Sequence, residues 1–185
     1  MTKLDHAIKF ATDAHAGQKR KMTNTPYILH PLEAAAIVAS ITTDEDVICA
    51  AVLHDTVEDT DVKAETIRSE FGDRVAELVS AETEIKRKNL SPESTWQIRK
   101  KETIEHLIRT KDKDVKILWL ADKLSNMRSI FNEYLKSGDA VWQSFHQKDK
   151  KMHEWYYKSV AKALKDDFAD TQAFKEYEAL VNLIF

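Results

Sequence analysis

Apolar residues recur at helical spacing along almost the whole chain. Leu4, Ala7, Ile8, Ala11 and Ala14 fall on one stripe of a helix over 2–16, which Gly17 ends. The segment 18–29 is polar, carries Pro26 and reads as a loop. Pro31 opens a second helix, where its missing N–H costs little, and 32–41 continue it. Thr43 or Asp44 caps a third helix. Its interior, Val47-Ile48-Cys49-Ala50-Ala51-Val52-Leu53, is apolar on every side, and a helix of that kind belongs in the middle of a bundle. The polar stretch 58–61 ends it. A short helix over about 63–71 stops at Gly72, and Asp73 caps another that runs to about Thr83. Residues 84–93 are charged, contain Pro92 and read as a loop. Helices over about 94–109, 115–134, 141–165 and 171–184 follow, with a break at Gly138. No repeat, low-complexity tract or domain boundary interrupts the pattern. The expected fold is all-α, one domain over 1–185.

Composition agrees: only three Gly and three Pro punctuate 185 residues, and the length suffices to bury a real core. A formal charge of −3 argues against broad nucleic-acid binding, so any basic pocket must be local. The single Cys49 sits in the apolar run and behaves as a small buried hydrophobe, which excludes an intrachain disulfide or a cysteine-based zinc site. No apolar leader and no stretch near the length of a membrane span is present, and a cytoplasmic location is expected.

Four scattered residues carry the chemistry: His30 in Tyr27-Ile28-Leu29-His30-Pro31, the pair His54-Asp55, and Asp122 in Ala121-Asp122-Lys123-Leu124-Ser125-Asn126. Two imidazoles and two carboxylates suit Mn²⁺, Fe²⁺ or Zn²⁺ and leave positions open for water or a phosphate oxygen. A carboxylate at the end of so apolar a helix is costly to bury unpaired, and a metal ion removes that cost. Taken singly, each residue also fits an ordinary role: a histidine before proline in a turn, or Asp122 as a buried ion-pair partner.

Three segments in order resemble the HD-domain phosphohydrolases: the Tyr27–Pro31 stretch, Ala51-Val52-Leu53-His54-Asp55-Thr56-Val57-Glu58-Asp59-Thr60, and Leu120-Ala121-Asp122-Lys123-Leu124-Ser125-Asn126-Met127-Arg128. Within that superfamily the Glu58-Asp59 pair and the upstream His15-Ala16-Gly17-Gln18-Lys19-Arg20-Lys21 are similar to the (p)ppGpp hydrolase branch, the hydrolase half of RelA/SpoT-type enzymes and their small relatives. The resemblance covers about 1–135 and implies an HD-type helical bundle. It implies that His30, His54, Asp55 and Asp122 hold one divalent metal, usually Mn²⁺, with Fe²⁺ or Zn²⁺ as other fits. Glu58 and Asp59, one turn past the ligand pair, become the general base and acid. Outside this motif the pair would read as a solvated helix end.

Arg20 and Lys21 would face the nucleotide, one with a flat guanidinium. Asn126 and Ser129, at i+4 and i+7 from Asp122, share its helix face and would line the sugar and base, with Arg128 beside them but turned partly toward an acidic neighbour. Arg99 is in reach of distal phosphates but reads better as part of a charged helix face, and His6, His106, His146 and His153 carry no pattern. The implied activity is hydrolysis, without synthesis, of guanosine-3′,5′-bis(diphosphate) to release pyrophosphate. A phosphatase for NADPH or another nucleotide, and a non-catalytic nucleotide sensor, are the competing readings. After residue 79 the chain departs from the branch, reading Val79-Ser80-Ala81-Glu82-Thr83-Glu84-Ile85-Lys86 where a Val-Thr-Lys-like element is common; this bears on substrate identity rather than on the metal site. The partner expected is a small nucleotide, with no nucleic acid or membrane.

Overall fold

A computed structural model describes residues 1–84, 87 and 89–185. These form ten α-helices and one 3₁₀ segment, with no strand beyond a single antiparallel bridge between Lys19 and Pro26. The helices are α1 Lys3–Ala14, α2 Leu29–Ala39, α3 Glu45–Leu53, α4 Thr56–Asp59, α5 Ala64–Phe71, α6 Asp73–Glu82, α7 Pro92–Arg109, α8 Lys113–Ser137, α9 Lys150–Phe168 and α10 Gln172–Ile184. The 3₁₀ segment, Gly138–Ser144, separates α8 from α9.

Helix α3 is the central post. Asp44 caps it by accepting from the Asp46 N–H at 2.9 Å, and α1, α2, α6 and α8 pack around it. Val47 and Cys49–Leu53 are fully buried, as an all-round apolar helix must be. Val47, Val52 and Leu53 each contribute about 1.5–3 kcal/mol by leaving water. Helix α8 is the second axis and packs on α2, α3, α6, α9 and α10. A second aromatic core lies between the C-terminal elements, where Trp142 stacks on His153 (4.8 Å between centroids) and on Phe185 (5.3 Å). No helix among the described residues is long and apolar enough to cross a membrane.

Several boundaries depart from the sequence pattern, each for a local reason. Helix α2 starts two residues before Pro31, which still lies in the first turn where no N–H is needed. The central helix does not run to 58–61: it stops at His54, and Glu58 and Asp59 occupy the separate turn α4. Asp73 is the first residue of α6 rather than its cap; Gly72, at φ 92°, makes the corner. Pro92 belongs to α7 at its first turn, with Ser91 accepting from the Ser94 N–H at 3.2 Å. Of the expected 84–93 loop, residues 85, 86 and 88 lie outside the described residues. Residues 141–149 are not helix α9 but the 3₁₀ segment and a connection.

Candidate metal centre and phosphate cavity

The break between α3 and α4 places His54 and Asp55 at a corner facing α2 and α8. His30 comes from the first turn of α2 and Asp122 from the middle of α8. The four meet: His30 Nε2 is 3.0 Å from Asp122 Oδ1 and 3.5 Å from Asp55 Oδ2, and His54 Nε2 is 3.1 Å from Asp55 Oδ2 and 3.8 Å from Asp122 Oδ1. One ligand atom each from His30, His54 and Asp122 lies within 4.8 Å of the others, all buried.

Hydrogen bonds behind the rings decide which nitrogen faces inward. The His54 Nδ1–H donates to the Ala51 carbonyl at 2.8 Å, so Nε2 presents its lone pair, and Nε2 has no hydrogen-bond partner. Ser125 donates to Glu33 at 2.6 Å, leaving its oxygen to accept from His30 Nδ1 at 2.8 Å. Both imidazoles are thus held with Nε2 toward the carboxylates by partners outside the cluster. Burial holds His30 below its ordinary pKa, against the pull of Asp122. Burial also opposes charge on His54, but Asp55 and Glu82 outweigh it and raise its pKa. The field at this point therefore favours a cation. The orphaned His54 nitrogen and the mixed nitrogen and oxygen donors fit a divalent ion.

Asp122 is held from both sides. Asn126 Nδ2 donates to its Oδ1 at 2.6 Å, and Lys123 donates to Oδ2 while its ammonium sits 4.5 Å over the Trp119 ring. Burial raises the Asp122 carboxyl, yet Lys123 and the two histidines take it well below the usual range. Arg20 Nη2 donates to Asn126 Oδ1 at 2.8 Å and stands 5.6 Å over Tyr27.

Asp59 and Asp55 share the Tyr27 hydroxyl at 3.0 and 2.7 Å, and the Asp59 carbonyl accepts from Gln18 Nε2 at 3.0 Å. Gln18 is braced in turn by His15 Nδ1 at 2.9 Å. Glu58 accepts from the Glu84 N–H at 3.0 Å.

Arg20, Tyr27, His30, Asp55, Glu58, Asp59, Asp122 and Asn126 line a polar cavity of about 160 Å³ together with Glu82, Glu84, Arg99, Lys100 and Lys123. A larger cavity of about 630 Å³ continues from it, sharing Arg20, Tyr27, Glu58, Asp59, Arg99, Lys100 and Asn126, and adding Lys21, Ile130, Phe145, His146 and Tyr157. The expected substrate residues divide accordingly. Arg20, Lys21 and Asn126 line cavity walls; Ser129 and Arg128 line neither. Arg128 is engaged with Glu176 (2.6 and 2.8 Å) and Glu33 (3.0 Å), tying α8 to α10 and α2. Arg99 is not a solvated helix face: it is largely buried and bonded to Glu84. Of the histidines without pattern, His146 lines the larger cavity and His153 is buried against Trp142.

Sequence reading missed Glu82, Glu84, Lys100 and Lys123. Lys123, beside Asp122 in the third motif, was open to view; the others were not. Glu82 is buried, and neither carboxylate oxygen has a hydrogen-bond partner in the structure. Burial pushes its pKa up to about 8 against the pull of His54 and Lys123.

Comparison with known proteins follows the same lines. The HD domain family matches residues 7–149. A guanosine-3′,5′-bis(diphosphate) 3′-pyrophosphohydrolase of Aquifex aeolicus (strain VF5) is 40% identical over 128 residues, 69% of this chain but 18% of that protein. The chain thus spans under a fifth of that curated relative. Among solved structures, a metazoan SpoT ortholog described as hydrolysing ppGpp superposes with a TM-score of 0.79 at 27% identity, over 100% of this chain and 98% of that one. A crystal structure from Listeria monocytogenes EGD-e gives 0.73 at 36% identity, over 89% and 98%. The chain belongs to the HD domain family.

Proposed function

We propose that this HD-domain chain is a divalent-metal-dependent phosphohydrolase that releases pyrophosphate from the 3′ position of guanosine-3′,5′-bis(diphosphate), with Mn²⁺ as its ion. The observation that carries the reading is the cavity in which His30, Asp55 and Asp122, with His54 behind Asp55, stand beside Glu58, Asp59 and a row of cations. The names of the relatives support the substrate.

His30, His54, Asp55 and Asp122 would hold the ion, which when bound supplies Lewis-acid activation of water and of a phosphoryl oxygen. The chain's own residues do the rest. Tyr27 and Gln18 hold Asp59 next to the ligand pair, so its carboxylate is placed to take the proton of an attacking water, with Glu58 as its partner. Arg20, Arg99 and Lys100 meet phosphate oxygens, Arg20 having its own counterpart in Asn126. Ile130, Phe145 and Tyr157 offer apolar and aromatic surface to the base in the larger cavity, with Lys21 at its edge. The water oxygen ends on phosphorus, and its proton ends on the departing 3′ oxygen.

The test is incubation of the chain with Mn²⁺ and a panel of ppGpp, pppGpp, NADPH and ordinary nucleotides, with product identification. Pyrophosphate from ppGpp, abolished by chelator and restored by Mn²⁺, is expected. Phosphate from NADPH instead would transfer the same site to a different substrate, and binding of ppGpp without product would make the chain a sensor.

A further inference from the structure

Arg99 and Lys100 are consecutive on α7, and consecutive helical side chains diverge by about 100°. Both nevertheless line the smaller cavity. Glu84 draws them together: one carboxylate oxygen accepts from Arg99 Nη1 at 2.5 Å, the other from Lys100 Nζ at 2.6 Å, with Thr103 Oγ1 at 3.4 Å. The backbone N–H of the same residue donates to Glu58 at 3.0 Å. One residue therefore touches the cations on one side and Glu58 on the other. Its side chain is 9% exposed, so the arrangement is built into the wall of the cavity rather than laid on its surface.

We propose that Glu84 is a positioning residue for the phosphate-bearing end of the substrate. Its carboxylate aims Arg99 and Lys100 into the cavity, while its backbone fixes Glu58 at a set distance from them. This deepens, and rests on, the pyrophosphohydrolase reading. Arg99 spends one of five N–H donors on Glu84 and Lys100 one of three, so both keep donors for phosphate oxygens. Glu84 also competes with phosphate for those cations. It weakens resting anion binding and in exchange keeps the cations ordered for the transition state, where the interaction raises turnover.

Two effects of opposite sign follow, and a merely structural residue would not separate them. Inorganic pyrophosphate is titrated by calorimetry into the full chain without added metal, and turnover of ppGpp is measured with Mn²⁺. Glu84→Gln removes the competing charge at constant length: pyrophosphate is expected to bind about fivefold tighter or more, while kcat falls about tenfold or more. Glu84→Asp keeps the charge but shortens the reach, so kcat should fall with pyrophosphate affinity within about twofold of the parent. Metal content should not change in either variant. Parental kcat in Glu84→Gln, or affinity and kcat falling together with the folded fraction in thermal unfolding, overturns the proposal; if Glu84→Gln does not fold, parental kcat in Glu84→Asp does so. The calorimetry needs no turnover. A parent that hydrolyses nothing in the panel while Glu84→Gln still tightens pyrophosphate sinks the substrate reading and leaves the hold of Glu84 on the cations standing.

Discussion

The floor of the cavity and its α7 wall are both buried clusters of charge, balanced in opposite ways. On the floor, the Nε2 atoms of His30 and His54 each lie within 3.8 Å of both Asp55 and Asp122, and His54 Nε2 has no hydrogen-bond partner. On the wall, Glu84 is answered by Arg99 and Lys100 from within the chain. Buried charge is tolerated only when compensated. On the proposed reading the floor would draw part of its compensation from an ion, whereas the wall supplies its own. An incoming phosphate therefore completes the floor but must compete on the wall. On that reading the floor would carry the chemistry and the wall would set how tightly a polyanion is held.

The largest expected effect breaks the floor. His54→Gln removes the nitrogen that its Ala51 hydrogen bond aims inward. Bound metal, measured by mass spectrometry of the digested protein, should fall from about one ion per chain to near zero, with turnover down at least about 10⁴-fold. Full metal content in this variant would mean that His54 is not one of the groups that hold the ion. Next comes Asp59→Asn, which keeps the side chain within reach of Tyr27 and leaves the Gln18 bond to the backbone carbonyl intact, but takes away the basicity. A loss of about 10³-fold with metal retained is expected. An unchanged rate would remove Asp59 from the reaction.

The floor was legible because its residues sit at the edges of apolar runs, in short segments whose order and neighbours survive in a linear reading. Asp122 with Asn126 is an i+4 pair on one helix, and their 2.6 Å contact is what that spacing allows. The α3–α4 break was not legible. Val57 continues the apolar pattern, and only the convergence of His54 and Asp55 on groups from α2 and α8 reveals why the chain turns there. Arg99 read as part of a charged helix face because its partner Glu84 lies fifteen residues away across a charged segment. Arg128 read as half functional for the same reason, its partner Glu176 being 48 residues distant. The 3₁₀ segment hid behind helical apolar spacing. It packs Trp142 against Phe185, and Phe145 and His146 beyond it reach the larger cavity.

Acid distinguishes the two clusters at the smallest scale. Burial alone would raise the Glu84 carboxyl, but Lys100 and Arg99 on α7 and Lys123 on α8 outweigh it and bring its pKa to about 2. A carboxylate depressed in the folded state contributes stability that is fully present above its unfolded pKa, about 4.3, and is lost as pH falls through the folded value. The contribution is on the order of 2–3 kcal/mol, reduced by whatever Glu84→Gln recovers as a hydrogen-bonded neutral group. The stability gap between the parent and Glu84→Gln, from urea unfolding at stepped pH, should therefore be widest near neutrality and close between about pH 4.5 and 2. Chelator should leave the gap unchanged, because the compensating cations belong to α7 and α8 and not to an ion. A gap that ignores pH would mean that Glu84 is not held by its charge. A gap that moves on metal removal would join floor and wall into one electrostatic unit, and the cations would then answer to the ion before they answer to the substrate.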